Sequence, residues 1–243
     1  MASTAGAQNR ILLYSGTLLI HVVNSVVMFY CLHFSDVMQK PDSQLTLFRI
    51  MSFRFITIWN LIFQMSYAFL SLSCELYDLI QLKKLQKLRL MAEKIRNLFF
   101  CGVVWPVSFT IFTIFWPIYI YDRELIFPAY IDKVLSQWSN YAMHTSILFI
   151  VLAELAYNPR KAGNHWAHLK MSNAVYFCYI IVLFYTEYQH DAFPYPILKM
   201  FTGTQLAVFL AFIYVLTMFV YTLQWILTPI LKNYVSGKVK KDL

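Results

Sequence analysis

Along the chain, apolar residues gather into long runs separated by short polar stretches. A helix crosses hydrocarbon with about 17–25 mostly apolar residues. Six runs meet that length: 11–34, 53–77, 97–121, 138–157, 171–187 and 202–228. The first is too long for the apolar part of a cleaved signal peptide and lacks a convincing cleavage site, so it reads as a signal anchor. The pattern predicts an all-α fold, a polytopic membrane helical bundle of about six transmembrane helices forming one domain over 1–243.

Composition agrees with that class. Hydrophobic residues make up 59% of the 243 positions and charged residues only 13%, where a soluble domain carries about 25% charged. Six Gly and eight Pro leave no room for a long flexible linker. Cys31, Cys74, Cys101 and Cys178 lie in or beside apolar runs without CxxC or CxxH spacing. They read as small buried hydrophobes, and neither a disulfide framework nor a zinc site is signalled.

A net charge of +8 on a soluble chain would suggest nucleic acid. Here the basic residues sit in connectors, with no basic stripe interleaved with aromatics, so nucleic acid is not an expected partner. The cations set orientation instead. With six spans, the N-terminus, the connectors 78–96 and 158–170 and the C-terminus share a side, which holds 14 of the 20 Lys and Arg. The positive-inside bias then puts both termini in the cytosol. The connector "QLKKLQKLRLMAEKIR" spaces Leu82, Leu85, Leu88 and Met91 at near-helical intervals among cations. It reads either as an amphipathic helix on the cytosolic membrane surface or as a basic loop that only fixes topology. The final "KKDL" places Lys240 and Lys241 fourth and third from the end. This fits a dilysine retrieval signal for the endoplasmic reticulum, distinct from the luminal K-D-E-L signal. The alternatives are an ordinary basic tail and residence in the cell membrane.

The second apolar run carries polar residues in register. Thr57, Asn60, Gln64, Tyr67, Ser71, Cys74 and Asp78 step by three and four and so share one helical face. Polar groups facing lipid are costly, so this stripe is expected to face the bundle interior, either as helix-helix hydrogen bonding or as a site. Arg54, in the first turn, can snorkel to the headgroups. In the fourth run His144 follows Asn140 by four, and an intramembrane His is a functional candidate. Thr57 and His144 lie four and six residues into spans that enter from the same side. At about 1.5 Å per residue they reach matched depths. No GxSxG, HExxH or P-loop occurs, and the other histidines do not cluster as metal ligands, so no metal and no cofactor is expected.

Three stretches, "FRFITIWNLIFQ" from Phe53, "FWPIYIYDRELIFP" from Phe115 and "NYAMHTS" from Asn140, resemble the androgen-induced gene 1 protein family. That family also includes the androgen-dependent regulator of tissue factor pathway inhibitor. The resemblance runs from the second span to Tyr195–Pro196 and is loosest in the first span and around "FYTEYQHDAFPYP". It implies a multi-pass membrane hydrolase that cleaves fatty acid esters of hydroxy fatty acids with a Thr nucleophile and a His. By position these are Thr57, in Phe55-Ile56-Thr57, and His144, in "MHT". A Thr hydroxyl is a weak nucleophile and needs a base such as His144 to take its proton. The oxyanion needs donors, for which Asn60, Asn140 or a nearby Tyr are candidates. Asp122 is the candidate orienter of His144, and Glu154 lies too deep for that role. The expected partners are the membrane and a lipid ester. The competing class is a non-enzymatic channel, carrier or receptor whose polar stripe lines a path.

The charge partition generates a direct test of topology. Glycosylation acceptors engineered into 35–52, 122–137 and 188–201 should be modified in microsomes, and acceptors in 78–96 should not. The reverse pattern would invert the orientation and remove the basis for dilysine retrieval.

Overall fold

The computed structural model describes residues 4–39, 42–80, 83–160 and 163–241, with side chains except those of 4, 5, 83 and 235–241. Leu82, Lys161 and the side chains of Lys240 and Lys241 therefore lie outside the described residues. The α-helices are α1 Thr4–Phe34, α2 Asp36–Gln39, α3 Ser43–Met51, α4 Ile56–Ile80, α5 Gln86–Phe99, α6 Trp105–Tyr121, α7 Gln137–His144, α8 Ser146–Tyr157, α9 His165–His190 and α10 Thr204–Lys241. No strand occurs among the described residues. The all-α membrane bundle read from the sequence is the fold.

Among the described residues, five helical stretches are long and apolar enough to cross a membrane: Gly6–Gln39, Ile56–Ile80, Gln86–Tyr121, His165–His190 and Thr204–Tyr234. The fourth expected span, 138–157, is built differently. It is two helices, α7 and α8, broken at Thr145 without Pro or Gly. In an unbroken helix the Leu148 N–H would reach the His144 carbonyl; here it bonds to Thr145 O at 3.2 Å. Trp116 Nε1 donates to the freed His144 carbonyl at 3.3 Å. Ser146 Oγ donates back to Ala142 O at 2.7 Å, a back-bond of the kind that bends helices.

The third span also departs from expectation. The amphipathic connector is helical, as α5, but it runs straight into α6 through a π-turn over Phe100–Val104. Arg89 and Arg96 on α5 turn to carboxylates: Arg89 pairs with Asp78 and Glu93, and Arg96 with Glu93 and Glu75. Leu88, Leu90, Met91 and Ile95 remain exposed. Of the four cysteines, Cys74 and Cys101 are buried, but Cys178 is exposed on α9, so packing inside the bundle does not account for it.

All five residues of the π-turn are buried, and its Gly102 lets α9 approach. A Cβ at Gly102 would stand 2.8 Å from the His168 carbonyl oxygen and 3.3 Å from Met171 Cβ. One turn on, Trp105 Nε1 donates to Val220 O at 2.8 Å and ties α6 to α10. Thus α9 is fixed to the π-turn that leads into α6, α10 is fixed to α6 itself, and the three helices line a common cavity.

The close approach at Gly102 has a measurable consequence. Alanine gains up to about 1 kcal/mol of helix propensity over glycine, but overpacking against a backbone oxygen costs about 1–3 kcal/mol. Gly102→Ala should therefore lower the thermal midpoint in detergent, and Gly102→Val should lower it further. A valine variant as stable as the wild type would mean that α9 does not pack on this turn.

Candidate active site

The polar face of α4 points inward. Thr57, Asn60, Gln64, Tyr67, Ser71 and Cys74 are buried, and Asp78 reaches the surface. Most of the face is occupied by links to other helices. Gln64 Nε2 donates to Ser108 Oγ at 2.8 Å and to Ile147 O at 3.0 Å. That leaves Gln64 Oε1 as the acceptor for His21 Nε2, 2.7 Å away on α1. Ser108 in turn donates to Asn60 Oδ1 at 2.9 Å. Tyr67 bonds to Glu154, and Arg160 pairs with Glu154 at 2.6 Å while its guanidinium lies 4.0 Å over the Phe100 ring. These links are the helix-helix reading of the stripe, and Glu154 belongs to them.

Thr57 stands apart from this seam. It lines an apolar cavity of about 150 Å³ whose walls come from α4, α6, α9, α10 and the segment Tyr195–Leu198. Ile111, Ile114, Phe115, Val175, Leu183 and Ile213 supply apolar wall. Thr57 is the second residue of α4, after Phe55 in extended conformation at φ −82°, ψ 131°. The opening N–H groups of a helix lack intrahelical partners. Tyr179 supplies one partner from α9, its hydroxyl accepting from Ile56 N at 3.1 Å and donating to Arg54 O at 3.2 Å. Arg54 does not simply reach to the membrane surface: its guanidinium donates to Thr186 and Gln189 near the end of α9. Thr57 is thereby held by two anchors to one neighbouring helix.

Tyr195, in the connector after α9, closes this end of the cavity. Its ring packs edge-on to Phe55 at 5.3 Å. Its hydroxyl is buried beside the hydroxyls of Thr57 and Tyr179 and the N–H groups of Ile56 and Thr57, yet it completes a hydrogen bond to none of them. Burial pushes the Tyr195 phenol up to about 12, against the opposite pull of those neighbours.

His144 closes α7 and is buried. Its Nδ1 lies 3.0 Å from Asn140 O and 2.7 Å from Asn140 Oδ1. A carbonyl oxygen only accepts, so Nδ1 carries the hydrogen and Nε2 is the basic nitrogen. The imidazole stacks on Phe115, centroids 3.5 Å apart at 8°, with Phe127 edge-on at 6.4 Å. His144 does not itself line the cavity, and no hydrogen bond joins it to Thr57 among the described residues. Phe115 is what they share: it stands in the cavity wall with Thr57 and carries the His144 ring.

The remaining candidates fall out by contact. Asn140, considered as an oxyanion donor, accepts from His144 and sets its tautomer. Asn60 Nδ2 is buried without a partner, but Asn60 is not in the cavity wall. Asp122, considered as the orienter of His144, is exposed and caps Arg123–Leu125 by accepting from Glu124 N at 3.0 Å. No group of three or more metal-ligating residues occurs among the described residues. His165 Nδ1 is instead 2.8 Å from the Tyr221 hydroxyl. Sequence reasoning did not single out Tyr179, which lies in a run too uniformly apolar to mark a face.

The profile of the FAR-17a/AIG1-like protein family matches residues 16–228. The androgen-dependent TFPI-regulating protein of Homo sapiens is 30% identical over 70% of this chain and 73% of its own length. Its Rattus norvegicus counterpart is 29% identical over 69% and 72%. The androgen-induced gene 1 protein of Homo sapiens is 26% identical over 76% and 77%. No solved structure matches. With the family profile spanning the α4 stripe, the broken α7–α8 pair and the cavity helices, the chain belongs to the FAR-17a/AIG1-like protein family.

Proposed function

We propose that this protein is an intramembrane lipid ester hydrolase that cleaves fatty acid esters of hydroxy fatty acids, with Thr57 as nucleophile and His144 as base. The observation that carries the reading is the position of Thr57, a lone stripe hydroxyl on the wall of an apolar cavity. An acyl chain suits such a wall, and the only chemistry required is a hydroxyl attack on the ester carbonyl. His144 supports it with a neutral imidazole whose Nδ1–H is held by Asn140, leaving the Nε2 lone pair to take a proton. The paired state of Glu154, Arg160, Glu75 and Arg96 favours a fixed scaffold over a conduit for ions.

In this mechanism His144 Nε2 accepts the Thr57 proton as Thr57 Oγ1 bonds to the ester carbon. Collapse of the tetrahedral intermediate expels the hydroxy fatty acid, which takes that proton from His144. Water, deprotonated by the same nitrogen, then releases the fatty acid from Thr57. For His144 to serve Thr57, the Phe115 ring must yield as substrate enters.

Thr57→Ala and His144→Ala should each abolish turnover of a fatty acid ester of a hydroxy fatty acid at near-normal protein abundance. Their combined loss should be no greater than either alone, because both act in one step. Thr57→Ser keeps the hydroxyl and should retain substantial activity. Thr145→Ala is the control: its buried hydroxyl has no partner, so removing it should cost neither folding nor turnover. If Thr57→Ala still turned over ester and still took a fluorophosphonate label, the nucleophile assignment would be wrong.

Asn140→Leu should lower kcat by about 10–100-fold, the range for losing an outer partner that orients a working histidine. It should leave Thr57 able to react slowly with the label. Equal kcat in the variant and wild type would separate Asn140 from the function of His144.

A further inference from the structure

Acyl transfer to Thr57 puts negative charge on the carbonyl oxygen, and in an apolar cavity that charge needs a donor aimed at it. Two nearby donors are unsuited. The Tyr179 hydroxyl is used in both senses at the start of α4, and Asn60 stands off the cavity wall. Tyr195 is neither occupied nor remote. Its hydroxyl is buried, lacks a partner and lies beside the Thr57 hydroxyl and the Thr57 N–H. Its ring is fixed by Phe55, next but one to the nucleophile in sequence, and Pro196 restricts the backbone that carries it.

We infer that Tyr195 is a catalytic residue of this site: its phenol O–H, together with the Thr57 N–H at the start of α4, donates to the ester carbonyl oxygen as that oxygen becomes an oxyanion. The inference rests on the hydrolase reading above. As the Thr57 Oγ1–C bond forms, the carbonyl π pair moves onto the oxygen and the Thr57 proton passes to His144. Tyr195 keeps its own proton throughout and only shares it. When the pair returns to re-form the carbonyl, the bond to the hydroxy-acid oxygen breaks and that oxygen is protonated from His144. The position of the phenol, raised to about 12 by burial, keeps it a neutral donor at physiological pH. Two further features suit the charge. The helix dipole of α4 presents its positive end at Thr57, and the wall around it is apolar, where a hydrogen bond to charge is strongest.

The test uses the full chain in detergent micelles, with the palmitoyl ester of a hydroxystearic acid as substrate and free palmitate as a binding probe. Tyr195→Phe keeps the ring against Phe55 and removes only the donor. It should lower kcat by about 10²–10³-fold, leave KM within about threefold, bind palmitate as wild type does, and slow fluorophosphonate labelling of Thr57 by a similar factor. A variant with wild-type kcat and labelling rate would overturn the donor assignment while leaving the hydrolase reading intact. A variant that lost palmitate binding together with turnover would make Tyr195 a structural residue and overturn it equally. If the wild type itself neither hydrolysed the ester nor took label on Thr57, the hydrolase reading would fail, and this inference with it.

Discussion

Hydrocarbon offers no donors and no acceptors, so a polar atom carried into it must be met by another part of the same protein. That constraint organises this bundle. Along α4 it is met at successive levels: Glu75 by Arg10 and Arg96, Tyr67 by Glu154 and Arg160, Gln64 by His21, Ser108 and a carbonyl of α8. These links tie α4 to α1, α5, α6 and α8, so the polar stripe is also the seam that sets their relative heights. Breaking one buried partner of such a link typically costs about 3–5 kcal/mol where charges are involved. At the end of the seam the stripe changes character, where Thr57 lines the apolar cavity.

Two irregularities in the backbone serve that end of the molecule. The π-turn of Phe100–Val104 resets the face that α6 presents, and Gly102 within it admits α9. The break at Thr145 stops α7 on His144 and hands its carbonyl to Trp116. The π-turn is buried, and at the half-buried break the freed carbonyl is met by Trp116; backbone covered by protein is where hydrocarbon permits such geometry. The two rings that matter to the site, Phe115 and His144, come from the segments that follow or precede these departures.

Periodicity carried the reading of α4 a long way, because a step of three and four is the same signal whether a residue bonds to a helix or faces a cavity. It marked Thr57 and Gln64 alike and could not tell their roles apart. The Asn140–His144 contact was legible for the same reason, one turn of helix. The break at Thr145 was not, since it arises from a serine back-bond and an indole on another helix, with no Pro or Gly to announce it. Continuity of α5 with α6 was hidden by charge: a basic stretch looks like a loop or a surface helix until Arg89 and Arg96 are seen turned toward carboxylates. Tyr195 lies in a connector without any period, so only its neighbours in space give it meaning.

The cavity is walled in part by α9 and α10, which are the least enclosed of the five long helices. Much of their remaining surface faces outward, with Phe177, Ile181, Val208, Phe212 and Val215 exposed. A ligand reaching the cavity past this wall comes from within the leaflet, at a concentration set by its mole fraction among lipids. Its saturation then follows surface dilution: adding detergent or inert lipid at fixed bulk ligand thins the supply and raises the apparent half-saturation value. Aqueous solubility, by contrast, hardly enters.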